Sequence, residues 1–379
     1  MMFTNVWYTA AFSKDVTDAP KHVKMLDRDF VLFRDAEGAA HCLSNVCCHR
    51  GAPLNQGACH ADGTLACCQH GWRFAGDGRC VMMPAASDGA EIPDAARVDS
   101  YPVEERYNMI WVLLGDDPEA AAPIPDVPEF EAEGWRWIEY EETWDANYHW
   151  AKFSNLDYVH LPVVHGQTWN GSVRPPAHKI EYLDETSIGT GIRVKTKRPK
   201  GLWSRLRPAE TEVQSRMKFY LSGLTIKVDV EIGGAGTGMR FVVLDMSTPV
   251  DERTTTMRFL FGRNFMPHKW ADKGTLRRNL KNVREDQRIA EAQLPKVPKS
   301  PDSRTLMTDP EDEMVKEYWA IMTRLRDKGW QIDQSALEQA ERHGGYHVIP
   351  SPSRRADPDA WVYKPVPRVN PDALAQAAE

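Results

Sequence analysis

The chain has 379 residues and no cysteine after Cys80: all seven lie between residues 42 and 80, and the 299 residues from Val81 to Glu379 have none. An odd total in one short stretch argues against a disulfide scaffold, which would also need an oxidising compartment. Positive charge is in deficit too. With 47 basic against 54 acidic residues the net charge is −7, which speaks against nucleic acid or an anionic membrane surface as partner. No apolar run approaches the roughly 20 residues of a membrane span. The N-terminus, MMFTNVWYTAAF, has no basic n-region and does not read as a signal peptide, so a cytoplasmic protein is expected. There is no internal repeat. No G-x-G-x-x-G nucleotide fingerprint follows a strand; "GGAGTG", 233–238, lacks the strand–helix setting and reads as a turn.

Bulk composition is that of a globular protein, 42% hydrophobic and 27% charged, and the length suggests two domains. Residues 21–115 read as short strands and turns, with "DRDFVLFRD" and "NMIWVLLGD" as apolar runs of strand length. The Pro-, Ala- and acid-rich stretch 116–134 suits neither a helix nor a central strand. A mixed segment follows. It has helical patterns near 147–160, 272–294 and 311–326, strand-like runs near 212–262, and a Pro-rich tail from 349 that reads as irregular. The expected domains are 1–118, a linker over 119–134, 135–349, and a tail over 350–379.

Within the cysteine-bearing segment, "NVCCHRGAPL", 45–54, is echoed by "ACCQHGWRF", 66–74. Thiolates gathered with histidines in a reducing cell point to a metal. Taking one cysteine of each doublet gives Cys47-x-His49, seventeen residues, Cys67-x-x-His70. Structural zinc favours paired-cysteine knuckles, or cysteine pairs followed by histidine pairs. The alternating Cys, His, Cys, His order suits two irons instead, one held by two thiolates and the other by two imidazoles. That is the pattern of a Rieske [2Fe–2S] centre. Gly51 and Gly71 would let the backbone approach the sulfides, and Pro53 would fix its turn. Cys48 and Cys68 have no assigned role and read as small buried thiols, as do Cys42, Cys59 and Cys80.

A second constellation lies in "SNLDYVHLPVVHG", 154–166. Asp157 and His160, three apart, share a helix face. His165, five beyond His160, would lie roughly 140° away on an unbroken helix. Pro162 is expected to break the turn and bring His165 round. Two histidines and a carboxylate form the facial triad of non-haem Fe(II) enzymes.

Together these motifs resemble the Rieske non-haem iron oxygenases, whose Asp-x-x-His-x₄-His signature matches at Asp157, His160 and His165. "NVWYTAAFSKDV" and "YPVEERYNMIWVLLGD" are similar to the vanillate O-demethylase and dicamba monooxygenase branch. The resemblance is dense over 1–170 and thin beyond. It implies an α+β chain: an N-terminal β-rich Rieske domain, then a catalytic domain with an antiparallel sheet covered by helices. It implies one [2Fe–2S] cluster on Cys47, His49, Cys67 and His70, and one mononuclear Fe(II) on His160, His165 and an aspartate of a later helix. In "TLRRNLKNVREDQRIAEAQL", 275–294, Leu276, Leu280, Val283, Gln287, Ala290 and Leu294 form a stripe. Asp286 flanks that stripe and is the expected ligand, whereas Glu285 lies opposite it and should be solvated.

The resemblance further implies a homotrimer in which the cluster of one subunit serves the iron of the next. Asp157 would bridge them by bonding His160 and His70 of the partner subunit. O₂ would be co-substrate, with electrons from NAD(P)H through a separate reductase or ferredoxin. The basic run Lys195, Lys197, Arg198, Lys200, Arg205 and Arg207 suits an acidic ferredoxin, an anionic substrate, or simply a solvated loop. The pocket should be apolar and drawn from strands over 200–262 and helices around 150–170 and 311–326. Three readings stay open: a terminal oxygenase that mono-oxygenates an aromatic or other apolar ring compound, with O- or N-demethylation included; a cis-dihydroxylating dioxygenase; and a non-catalytic Rieske electron carrier.

Overall fold

The computed structural model describes residues 1–87, 90–166, 179–197, 210–233, 238–298, 307 and 312–372. It divides into two compact units, Met1–Pro123 with Arg324–Glu379, and Ile124–Thr323.

The first unit is built from small antiparallel sheets. Val6–Phe12, Met109–Leu114 and Val103–Arg106 form one. Lys21–Met25, Arg28–Arg34, Ala40–Ser44 and Ser100–Tyr101 form the second. Two hairpins close through two-residue loops, Leu26–Asp27 and Tyr107–Asn108, with all four residues at φ between 52° and 59°. That left-handed pair matches the twist of the strands it joins, as a type I′ turn requires, although no glycine is used. Phe30–Phe33 is buried without alternation, so this strand is covered on both faces. The third sheet, Ala58–Cys59, Leu65–Ala66, Arg73–Phe74 and Cys80–Met82, carries the cysteine-bearing loops.

The expected tail is corrected here. Residues from 324 on belong to the first unit rather than to the catalytic domain or an irregular tail. His347–Val348 pairs in parallel with Lys364–Pro365, and Ser353–Ala356 is helical. Polar contacts with distant residues hold the segment: Arg354 grips the buried Asp99 at 2.6 and 2.8 Å, and the Tyr101 hydroxyl donates to the Ile349 carbonyl at 2.7 Å. Prolines do not prevent such docking, because it combines these side chains with a few backbone bonds at non-proline positions, such as the Val366 and Val369 amides to the Val348 and Gln331 carbonyls, both at 2.9 Å.

The second unit centres on a seven-stranded antiparallel sheet. Its order is Arg136–Trp144, Thr255–Arg263, Met239–Pro249, Thr225–Ile232, Glu210–Tyr220, Ser187–Lys197, Lys179–Asp184. The last six run as a meander, and the first strand in sequence pairs with the last. Helices Tyr148–Leu156 and Asp272–Ala292 pack with Trp144, Met257, Phe259 and Phe261 in one core. A third helix, Glu313–Asp327, replaces the expected 311–326; residue 311 lies outside the described residues, as do Arg198, Lys200, Arg205, Arg207 and 234–237 of "GGAGTG". Leu294, placed on the helical stripe by periodicity, falls beyond the helix end and is 72% exposed.

Candidate metal centres

The two cysteine-bearing loops close by the same pair of backbone bonds. The Cys47 amide donates to the Ala52 carbonyl, and the Gly51 amide returns a bond to the Cys47 carbonyl, both at 2.9 Å. In the second loop Cys67 donates to Trp72 at 2.8 Å and Gly71 to Cys67 at 3.0 Å. Gly51 and Gly71 sit at φ 72° and 70°, a left-handed turn that favours glycine. The loops bring His49 and His70 to 4.5 Å between ring centroids, and Trp72 stacks flat on His49 at the same spacing. Cys47 and Cys67 are buried, while His70 is exposed.

The chemistry of this donor set fits an iron–sulfur cluster. Nδ1 of His49 is buried with no hydrogen-bond partner, a costly state for a ring nitrogen unless a metal takes it. Burial first, then His70 and Arg50, hold the His49 pKa down, which favours the neutral, ligating imidazole. The Cys47 thiol is pulled down to about 6, chiefly by a hydrogen bond with Cys48. Cys48 is thus a buried neighbour of a candidate ligand sulfur. Cys68 departs from expectation: it is exposed, its sulfur 3.5 Å from the Pro53 carbonyl. All seven cysteines are free.

In the second unit the helix that begins at Tyr148, capped by the Asn147 side chain, ends at Leu156. Asp157 is therefore not helical. Its carboxylate accepts from the amides of Val159 (2.6 Å) and His160 (3.1 Å), and so starts the next turn. Pro162 stands in the first turn of Leu161–Val164, where its missing N–H costs nothing. The expected break at Pro162 is corrected: the proline starts a helical turn. His160 and His165 flank that single turn: His160 is itself helical (φ −66°, ψ −28°), whereas His165 leaves the helical region (φ −103°, ψ 19°), so the five-residue spacing does not follow an unbroken helix.

Nδ1 of His160 bonds the backbone carbonyl of Asp157, and the Asp157 carboxylate is 3.8 Å away. Nδ1 of His165 bonds Glu285 Oε2 at 2.7 Å. Both Nε2 atoms are left for a metal and face Asp286 Oδ1, at 3.1 Å from His165 and 3.7 Å from His160. One donor atom from each of the three lies within 4.8 Å of the others. Asp286 is 8% exposed, and its Oδ1 is buried without a hydrogen bond; a divalent cation would satisfy it. Burial holds the His160 pKa down. It acts likewise on His165, but the facing Asp286 carboxylate and the Glu285 carboxylate outweigh it and the net shift is upward. Glu285 is not the solvated residue that helix periodicity implied. It orients a candidate ligand, and its partner lies 120 residues earlier in the chain.

Sequence reasoning also missed Lys152, Asn155 and Asp245. Lys152 is fully buried, its Nζ 2.8 Å from Asp245 Oδ1, and Asn155 Nδ2 donates to Asp245 Oδ2 at 2.6 Å. Burial pushes Asp245 up and Lys152 down, each opposed by the other's charge. No sequence signal announced them: Tyr148–Leu156 mixes polar residues (His149, Lys152, Ser154, Asn155) with apolar ones, and Asp245 lies 93 residues beyond Lys152.

A cavity of about 560 Å³ opens beside this centre. Its apolar wall is a ladder across four strands, Met217–Val228–Val243–Phe261. A second cavity, about 280 Å³, shares Asp157, His160 and Asp286 with the first, so the centre lies where the two meet.

A thiolate–imidazole loop pair lies in one unit and a two-histidine, one-carboxylate group that could hold a metal ion in the other. Two family models agree: the Rieske [2Fe-2S] domain matches residues 6–102, and the vanillate O-demethylase oxygenase C-terminal domain matches residues 144–328. The chain is 36% identical over 179 residues to the phenoxybenzoate dioxygenase subunit alpha of Ectopseudomonas oleovorans, covering 44% of this chain and 43% of that protein. It is 34% identical over 192 residues to the toluene-4-sulfonate monooxygenase system iron-sulfur subunit TsaM1 of Comamonas testosteroni, covering 50% and 54%. The chain thus spans about half the length of these curated relatives. Among solved structures, dicamba monooxygenase bound to dicamba has a TM-score of 0.70 at 23% identity, over 85% of this chain and 97% of that one. The QL mutant of Pseudomonas putida CBB5 NdmA with caffeine also has 0.70, at 20% identity over 90% and 92%. These likenesses show the fold.

The chain belongs to the Rieske non-haem iron oxygenases, with the α+β architecture of that family. The Rieske domain indicates a [2Fe–2S] cluster, and the oxygenase family implies iron.

Proposed function

We propose that the chain is the terminal oxygenase of a multicomponent system, mono-oxygenating an aromatic or other apolar ring compound by hydroxylation or oxidative demethylation. One observation carries this reading: donor atoms of His160, His165 and Asp286 converge in the lining of a largely apolar cavity. Relatives named for phenoxybenzoate and toluene-4-sulfonate support an aromatic substrate.

Cys47 and Cys67 would hold one iron of the cluster, and His49 and His70 the other. His160, His165 and Asp286 would hold Fe(II), which when bound supplies the activation of O₂. Glu285 and the Asp157 carbonyl keep the Nδ1 protons in place, so that each Nε2 lone pair points inward. Phe259, Phe261 and Val243 exclude water from the reacting ring. Electrons would come from an NAD(P)H-dependent reductase or ferredoxin. Asp157, on the rim of both cavities, would carry them from His70 of the partner subunit within a homotrimer. A cytoplasmic location belongs to the same proposal. Among the described residues no helix is long and apolar enough to cross a membrane.

Turnover under ¹⁸O₂ tests the reading. One labelled oxygen per product is expected; two would make the reaction the dihydroxylation that the name of the phenoxybenzoate relative suggests. Iron analysis should give three irons per chain. Two, with no O₂ uptake across a panel of aromatic substrates, would leave only an electron carrier.

A further inference from the structure

We infer that Trp270 sets the width of the entrance to the large cavity, and so sorts ring compounds by cross-section before they reach the candidate iron ligands. The inference rests on the proposed reading of that cavity as the site of a ring compound, and it concerns how such a compound enters.

One face of the helix Asp272–Ala292 runs the length of the cavity. Gly274, Arg278, Asn282 and Asp286 recur every four residues, so they share that face, and all four line the cavity. Burial rises along them: Gly274 and Arg278 are exposed, Asn282 is half-buried and Asp286 is buried. The cavity is therefore open to solvent near the start of the helix and deep at the candidate ligand. The stretch of helix from Gly274 to Asp286 puts about 18 Å between the two ends. The sheet wall keeps the same direction. Phe241, in register with Arg263, belongs to the end that leads into residues 264–271, whereas Asp245, in register with Phe259, belongs to the end that meets Asn155.

Two apolar side chains stand at the open end. Trp270 is 72% exposed and Met266 43%, yet both line the cavity. Tryptophan is highly buried on average, so an indole left in water at a cavity mouth calls for a reason. The backbone beneath these side chains is held in place. Arg263 Nε donates to the Met266 carbonyl at 3.1 Å, and its Nη2 donates to the His268 carbonyl at 3.3 Å and to Asp272 Oδ1 at 2.7 Å. Asn264 Nδ2 donates to the Gly238 carbonyl at 2.6 Å. With both ends of the stretch 264–271 tied down, the opening is set by side chains rather than by a hinged loop.

Gly274 supplies the gap that Trp270 borders. Lys269–Ala271 is a single helical turn that leads straight into the helix at Asp272, so Trp270 and Gly274, four residues apart, lie on one side. A Cβ placed on Gly274 would meet no atom within 4 Å. Nothing fills the space beside the indole, and the bulk of the indole itself limits what can pass.

Anaerobic stopped-flow mixing of the iron-loaded protein with two neutral fluorescent probes, 2-naphthol and 1-hydroxypyrene, tests this without turnover. The wider 1-hydroxypyrene should associate at least about tenfold more slowly than 2-naphthol. Trp270→Ala should raise its association and dissociation rates together by about tenfold, leaving its Kd and both rates of 2-naphthol within about twofold. Gly274→Phe should slow both probes. Neither substitution strains the fold, since the indole is exposed and the space at Gly274 is open. Four results would each overturn the inference: equal rates for the two probes in the wild type, a 1-hydroxypyrene association rate unchanged by Trp270→Ala, rates unchanged by Gly274→Phe, or failure of 2-naphthol to bind. A change confined to dissociation would do the same, because it would make Trp270 a contact of the bound compound rather than its entrance. Loss of O₂ uptake with these rate effects intact would strike the oxygenase reading and leave the entrance standing.

Discussion

Two carboxylates one residue apart on the helix Asp272–Ala292 do different work. Asp286 turns inward beside Val283 and Ala290, its Oδ1 towards both histidines, whereas Glu285 reaches around to Nδ1 of His165. Asp286→Ala should therefore empty the mononuclear site and leave the cluster spectrum intact. Glu285→Ala should keep all three candidate ligands and weaken iron binding about 10–100-fold. Anaerobic iron titration followed by metal analysis separates the two; an unchanged affinity in Glu285→Ala would mean that the glutamate is only a surface charge. The sequence supported Asp286 because Val283 and Ala290 mark the buried stripe. It could not show Glu285, because His165 arrives from a turn 120 residues upstream. The same imidazole makes a pH prediction. Its folded pKa is raised, so in the metal-free protein it contributes stability that is fully present below the unfolded value near 6.5 and lost as pH rises through the folded value. Iron must displace that proton, so its own stabilisation grows over the same window. Between about pH 6 and about pH 8 the gap in melting temperature between iron-loaded and metal-free protein should widen; a constant gap would rule out His165 as a ligand.

At the scale of elements, the helix Tyr148–Leu156 and the strand Met239–Pro249 are joined by the buried Lys152–Asp245 pair. Removing one partner leaves a charge with no water and no counter-ion. Lys152→Met should cost about 3–5 kcal/mol in urea unfolding, and adding Asp245→Asn should recover most of it. If the double variant is as unstable as the single one, the pair contributes packing rather than charge compensation. The strands between 210 and 263 were legible, because β-branched and aromatic residues recur there between turn residues. Arg136–Trp144 was not, since it follows an acidic, proline-rich stretch and pairs with Thr255–Arg263 more than a hundred residues later. Local pattern carries no record of such a partner. The cavity was legible in kind: an apolar wall from the strands over 200–262 was expected, and Met217, Val228, Val243 and Phe261 supply it.

Over the whole molecule, the sequence suggested successive domains, whereas the first unit is assembled from both ends of the chain. Proline spacing reads as irregular, and the side chains that dock the late segment are scattered single residues, so nothing periodic announces them. Besides Arg354 and Asp99, the Tyr363 hydroxyl donates to the Cys47 carbonyl at 3.2 Å, within the loop of a cluster ligand. A fragment spanning residues 1–123 should therefore hold its cluster poorly, and co-production with residues 313–379 should restore the visible Rieske absorption. A stable, fully absorbing 1–123 fragment would show that the late segment is dispensable.

Assembly is the last scale, and Asp157 tests it. Its carboxylate caps the turn that carries His160 by accepting the Val159 and His160 amides, while its backbone carbonyl holds Nδ1 of that histidine. Asparagine caps a turn about as well as aspartate, so Asp157→Asn should preserve the fold and iron binding and remove only the charge. If Asp157 links His160 to His70 of the partner subunit, electrons should then reach the cluster but not the mononuclear site. Single-turnover product from the pre-reduced variant should collapse although both centres are filled. Near-wild-type yield would confine Asp157 to capping and remove the reason for a cyclic trimer.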